Sequence, residues 1–361
     1  MAAERVDGLI VCGNQYTGFE GAVRYTSGFE IVHRYVYVWI PLDGEPVLVF
    51  PREARWIGDK KAPWVEEKVW PDAPGKWLRE EIEKRGCKRV AVYGLDFVMA
   101  VRDYRVLQSG SFEIVPFDFQ FDMARAVKSE EELAGFRDSM DIILDGFHAL
   151  IAAYEPGKSE AEIMAPAVER FFARGAGPRM MNIVLSGTGG EAEAHFKVPS
   201  LRKVAADDLL LYSLEIAGAD GYWVEFSRAL IRAKPSPRTL AMSDIYPAAM
   251  EAAREKMHDG VPASEVHKAA AEIFDKAGFS LGHLTGHSIG MTMIEHPAIG
   301  ANSRVELKEN MVLSFHPQVV DHDGQVCLYT QDTYRVGKKE GECLASVPWR
   351  FYSGVEAQTT R

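Results

Sequence analysis

The side chains in this chain best suited to acid–base or metal chemistry are its histidines. Of ten, nine lie after residue 147 and only His33 lies earlier. His195, His283, His287 and His316 fall in polar, turn-rich settings that suggest a cleft. An imidazole with a pKa near ~6.5 gives and takes a proton at neutral pH, and as the neutral ring it ligates metal ions. His148, His258 and His267 lie within amphipathic helical patterns and read as structural. The most informative stretch runs from His283 to Pro297, where Gly286 and Gly290 flank His287 and are followed by Glu295 and His296. The two glycines allow close backbone approach around the imidazole.

The elements that must hold these residues divide the chain in two. Runs at 8–13, 35–42, 45–51, 88–95 and 112–118 are β-branched or aromatic and are bounded by turn residues. Asp43 and Gly44 suit a hairpin turn, and 75–86 reads as a helix stopped by Gly86. Beyond about residue 120, Ser129 with Glu132 and Ser159 with Glu162 form capping-box patterns that open two helices. Strand-like stretches follow at 182–187, 208–218 and 223–233, then helices at 239–260 and 264–279, then strands near 311–320 and 326–336. A length of 361 residues fits two domains.

Composition narrows the function classes. The chain is 47% hydrophobic and 26% charged, and 52 acidic against 41 basic side chains leave a net charge of −11. This excess does not suit a surface that tracks phosphates, so nucleic acid is not an expected partner. No apolar run is long enough to span a membrane, and the start lacks a secretory pattern. The four cysteines show no paired spacing, which suggests reduced thiols and a cytoplasmic setting.

The stretch from His283 to Gly290 resembles the His-x-x-Gly-His-x-x-Gly signature of the creatinase/prolidase/aminopeptidase P family, although Ile294 stands where that family has a further histidine. Other landmarks agree in order. They are Tyr25 to Phe29, Arg125 with Lys128 and Ser129, Ser186-Gly187 followed by His195 to Pro199, Asp220 to Tyr222 with Ser227 and Arg228, Glu309 to Pro317, and Gln331 with Asp332. The resemblance implies an α/β N-terminal domain over 1–122 and an α+β C-terminal pita-bread domain over 123–361. It also implies a homodimer in which the partner's N-terminal domain caps the cleft, so that His33 and Arg34 could clamp an anion.

The departures from the family pattern shape the functional expectation. Metallopeptidases of this family hold two metal ions on two Asp, one His and two Glu. Aligned on Arg228, these positions fall here on Leu214 (with Glu215 adjacent), Glu225, His287, His316 and Gln331. Two cations in one pocket need more negative charge than this set offers. The resemblance therefore points to a metal-independent, creatinase-like hydrolase without cofactor that cleaves a C–N bond of a small non-peptide molecule. His195, His287, His316 and Glu225 form its expected catalytic set, with His195 as general acid/base. Tyr222, Trp223, His283, Glu295, His296, Gln331, Arg34 and Phe315 are the expected substrate-binding residues. One alternative is a lyase eliminating across a C–C, C–O or C–S bond of a small molecule, aromatic ones included. Another is a metal-dependent Xaa-Pro peptidase with altered ligands, and a single zinc on Glu225, His287 and His316 would suit that site.

Overall fold

The computed structural model describes residues 1–59 and 61–354. Two compact units share the chain: Met1–Arg125 with Met291–Met293, and Ala126–Gly290 with Ile294 onward. Among the described residues no helix is long and apolar enough to cross a membrane, and the four cysteines are free.

The first unit contains β1 (Gly8–Asn14), α1 (Gly21–Ser27), β2 (Tyr35–Pro41), β3 (Val47–Val49), β4 (Glu67–Val69), α2 (Pro74–Lys84), β5 (Arg89–Tyr93), α3 (Val101–Leu107), β6 (Glu113–Pro116) and α4 (Asp118–Ala124). Its six strands form one mixed sheet in the order β4-β3-β2-β1-β5-β6. The apolar runs of β1, β2 and β5 are buried on both faces, which is why they read as continuous rather than alternating hydrophobic stretches. Side chains alternate, so Leu9 and Val11 enter one core cluster and Ile10 and Cys12 the other. Gly44, at φ 129, turns β2 back into β3 as the Asp43-Gly44 pair predicts. Helices α1, α3 and α4 are seven residues each, too short for periodicity to reveal them.

The second unit begins with α5 (Glu130–Ala153) and α6 (Glu160–Ala173), and both predicted capping boxes are formed. Then come β7 (Met180–Gly187), β8 (Ala192–Glu193), β9 (Leu209–Ala217), β10 (Trp223–Leu230), α7 (Pro237–Glu255), α8 (Ala263–Lys276), β11 (Ser280–Leu281), β12 (Gly286–Ser288), β13 (Glu295–Ile299), β14 (Val312–Phe315), β15 (Gln318–Val320), β16 (Val326–Tyr329), β17 (Asp332–Arg335) and β18 (Glu342–Cys343). Three sheets result, ordered β10-β9-β7, β11-β15-β16-β8 and β13-β12-β14-β17-β18. The helix expected over 239–260 stops at Glu255, where the N–H groups of Lys256 and Met257 bond only three residues back and that of Asp259 turns to Gly337 O. His258 therefore lies outside the helix, in an isolated bridge to Gly337.

Two features of this unit fix β10 to β17. Ser227 N–H donates to Gln331 O. Arg228 and Asp332, both buried, pair through two bonds, Nη1 to Oδ2 at 3.1 Å and Nη2 to Oδ1 at 2.9 Å. Arg228 also donates to the carbonyls of Ser227, Gln331 and Val347, so this buried guanidinium is nearly satisfied. Replacing one partner leaves the other charge buried and unpaired, which costs about 3–5 kcal/mol. Asp332→Asn is therefore expected to lower the denaturation free energy of the second unit by that amount in urea. The double replacement Arg228→Met with Asp332→Leu should lose much less. A single-variant loss under ~1 kcal/mol would rule out this role for the pair.

Candidate active site

The loop over 218–222 sets the register of the β9–β10 hairpin, with Gly218 N–H bonded to Tyr222 O and Gly221 N–H to Gly218 O. In that register Glu215 lies directly opposite Glu225, while Leu214 lies opposite Phe226. Ser213, Glu215, Glu225 and Ser227 thus share one face. The other face is packed away, since the Phe226 ring meets Phe147 of α5 at 4.8 Å and Tyr212 donates to Glu160 O of α6 at 2.8 Å. The residue that this strand turns toward Glu225 is therefore Glu215 and not Leu214. Counting along the chain from Arg228 misplaced it because strand pairing, not sequence separation, decides which side chains face each other.

Two buried carboxylates directly opposite repel, and neighbouring donors relieve them. Gln331 Nε2 donates to Glu225 Oε2 at 2.9 Å and to Glu215 Oε1 at 3.1 Å. Ser213 Oγ bonds Glu215 Oε1 at 2.7 Å and also Gln331 Oε1. Ser314 Oγ donates to Glu225 Oε2. The Thr333 hydroxyl accepts from Glu225 N–H and donates to Glu225 O, both at 3.0 Å, which pins the strand at that residue. Burial raises both carboxyls well above the usual carboxylate range, and the charge of Glu225 raises Glu215 further.

The histidines reach this face from the five-stranded sheet. On β12, His287 lies opposite Ser314 of β14, and His316 follows two residues on, so both project to the same side. His287 Nδ1 bonds Ser288 O at 3.0 Å, which leaves Nε2 bare and 3.6 Å from Glu225 Oε1. His316 is held by its backbone N–H on Thr285 O, and its Nδ1 is buried with no partner. Beneath them His267 of α8 bonds Thr285 Oγ1, whose hydroxyl donates to Ile299 O, so His267 is a brace for β12. Burial pulls the pKa of His283, His287 and His316 below the ordinary imidazole value, His316 furthest. All three are thus neutral at pH 7, the form that ligates metal.

Donor atoms of Glu225, His287 and His316 lie within 4.8 Å of one another, and all three residues are buried. Because Glu225 Oε2 is engaged by Ser314 and Gln331, Oε1 is the oxygen left facing His287. Two imidazoles and a carboxylate with hydrogen-bonded supports are a fitting donor set for one zinc-like divalent ion.

The remaining expected residues separate into three groups. Gln331, Trp223 and His283 are at or beside the cluster: Trp223 shares the Glu225 face and its buried Nε1 lacks a hydrogen-bond partner, while the His283 ring lies 5.3 Å from that of His316. Tyr222, Phe315 and Glu295 are occupied in packing. Tyr222 packs at a tilt against Phe136 and fills the space over Gly135 of α5, Phe315 projects opposite to Ser314 and His316, and Glu295 pairs with buried Lys128 at 3.2 Å. A Cβ on Gly290 would strike the Glu295 carboxylate, so the second glycine of the motif makes room for that ion pair. His195, His296 and Arg34 are exposed. His195 follows β8, His296 is on β13, and Arg34 pairs with Glu53 at 3.7 Å within the first unit. Ser213, Ser314 and Thr333 complete the site but were not anticipated, and Glu215 entered the sequence reading only as the neighbour of Leu214. Their signal was strand alternation combined with a hairpin register that the glycines at 218 and 221 imply.

Comparison with known proteins bears on what such a site does. The chain is 29% identical over 315 residues to a Mycobacterium tuberculosis protein named Probable dipeptidase PepE, an alignment covering 84% of this chain and 81% of that one. It is 24% identical over 323 residues to the Xaa-Pro dipeptidase of Lactobacillus delbrueckii subsp. lactis, covering 84% and 85%. The X-Pro aminopeptidase structure from Thermotoga maritima superposes with a TM-score of 0.82 at 20% identity, covering 98% of this chain and 97% of that one. The pita-bread fold expected from the resemblance is present. The metal-independent, creatinase-like reading is overturned, and with it the non-peptide C–N hydrolase and the lyase. These relatives are peptidases by name, and the ligand residues judged too few by linear alignment converge once the strands pair. The model of metallopeptidase family M24 matches residues 134–338, and the chain belongs to that family.

Proposed function

We propose that this chain is a metal-dependent dipeptidase of the Xaa-Pro type, with a divalent metal centre built on Glu225, His287 and His316. The convergence of those three buried donors in a metallopeptidase-family chain carries the reading, and similarity to an Xaa-Pro dipeptidase supports the substrate class. When bound, such an ion supplies Lewis-acid polarisation of a carbonyl and a nucleophile at neutral pH.

The chain's own residues do the rest. Glu215 Oε1 accepts from Gln331 Nε2, so a proton on this raised carboxyl resides at Oε2. A carboxyl shifted upward by burial exchanges protons near neutral pH, and Glu215 would pass one to the leaving imide nitrogen. Trp223, with its buried Nε1 unpartnered, offers an N–H to the dipeptide, and neutral His283, whose ring bonds the Leu284 backbone, offers its unpartnered Nε2 as an acceptor. Ile294 is 59% exposed and offers no hydrogen bond where the family resemblance implies an imidazole.

Two outcomes test this reading. Proline release from Xaa-Pro dipeptides should require added Zn²⁺, Co²⁺ or Mn²⁺, vanish on chelation, and fall by roughly 10²–10⁴-fold in Glu225→Gln, His287→Ala and Glu215→Gln. Absence of proline release with every one of these metals would overturn it. The pH dependence follows from the raised Glu225 carboxyl, which must lose its proton before it can ligate. Metal affinity should therefore rise with pH through the neutral range and fall below it, by at most about tenfold per pH unit for this one proton. Affinity that is flat between pH 6 and 8 in calorimetric titrations would contradict the assignment of Glu225.

A further inference from the structure

We infer that this site is built for one cation and not two, and that Gln331, placed between the two buried glutamates, is the residue that sets the number. The inference rests on the ion-binding reading above and adds to it the occupancy and its determinant.

Gln331 Nε2 lies 2.9 Å from Glu225 Oε2 and 3.1 Å from Glu215 Oε1. An amide nitrogen has no lone pair to offer a cation, and its two protons are directed at the oxygens a second ion would need. The opposite end of the amide is also committed, because Oε1 accepts from Ser213. Turning the amide over would place a third oxygen against two buried carboxylates, a costly arrangement in a low-dielectric site. The backbone allows no retreat, since Ser227 N–H and Arg228 Nη1 both donate to Gln331 O and hold it in register.

Charge counting agrees. Glu215 and Glu225 are the acidic side chains of the cluster, while His287 and His316 are neutral ligands and Gln331 is neutral. One divalent ion balances both carboxylates when they are ionised. A second would leave two positive charges buried without partners, which the interior does not tolerate. Exchanging the Gln331 amide for a carboxylate reverses both conditions, because it removes the N–H groups and adds a negative oxygen pair in the same place.

The test is stoichiometry, read apart from activity. Chelated, dialysed wild-type protein titrated with Zn²⁺ by calorimetry, and checked by plasma mass spectrometry after gel filtration, should saturate near one equivalent. Gln331→Glu should move that to near two. Glu215→Gln should stay near one equivalent, because Glu215 is not a ligand of the single ion. Mn²⁺ loaded into the wild type should give the six-line paramagnetic spectrum of an isolated ion, a reading that holds even if Gln331→Glu fails to fold. Two equivalents in the wild type, an exchange-broadened Mn²⁺ spectrum, or a folded Gln331→Glu that still binds one would each overturn the inference. Wild type that binds two ions and cleaves dipeptides would leave the proposed function standing and remove only this inference. Wild type that binds none would remove both.

Discussion

Two glutamates, Glu215 and Glu225, face each other across an antiparallel pair in a buried sheet. Cross-strand neighbours of like charge repel, and burial multiplies the penalty. Most of the surrounding site relieves that single conflict. Gln331 donates to both carboxylates, Ser213 and Ser314 bond one each, and the neutral His287 presents a bare nitrogen to the remaining Glu225 oxygen. Such an arrangement has little value to a core. Its worth lies in a positive charge, and the donor set of Glu225, His287 and His316 is where that charge fits.

Holding the conflict in place requires a rigid frame, and β17 provides it. Asp332 locks Arg228 of β10, the guanidinium ties down the carbonyl of Gln331, and Thr333 clasps both backbone groups of Glu225. Three consecutive residues, 331–333, thus relieve the glutamates, anchor the strand and fix its register. In the same five-stranded sheet, His267 of α8 and Thr285 brace β12, so that His287 and His316 arrive on the same side. Ligand precision here is a property of paired strands, which position side chains better than loops do. His195 illustrates the contrast: it lies exposed beyond a two-residue strand.

Much of the architecture was legible beforehand. The long apolar runs became β1, β2, β5, β9 and β10, and both capping boxes opened the helices they announced. Short elements escaped, among them α1, β4, β12 and β13, because a handful of residues carries too little periodicity to be seen. At the site, His287, His316, Glu225 and Gln331 were recognisable from motif positions, whereas Ser213, Ser314 and Thr333 were not. Glu215 was visible as the neighbour of Leu214, and placing the position on Leu214 removed a carboxylate from the count and favoured a metal-free enzyme.

The sequence by itself determined the fold class and the identities of the histidines and acids available, since apolar patterning and motif order are properties of the linear chain. Tertiary structure decided which of them meet. A hairpin register places side chains with a period of two, so one residue of difference moves a group from core to site. Local sequence cannot reveal that Gln331 reaches two glutamates more than a hundred residues away. Nor can it reveal that donors on β10, on β12 and just past β14 come within 4.8 Å of one another. Those are consequences of strand pairing at long range, where geometry and burial give ordinary side chains their chemistry.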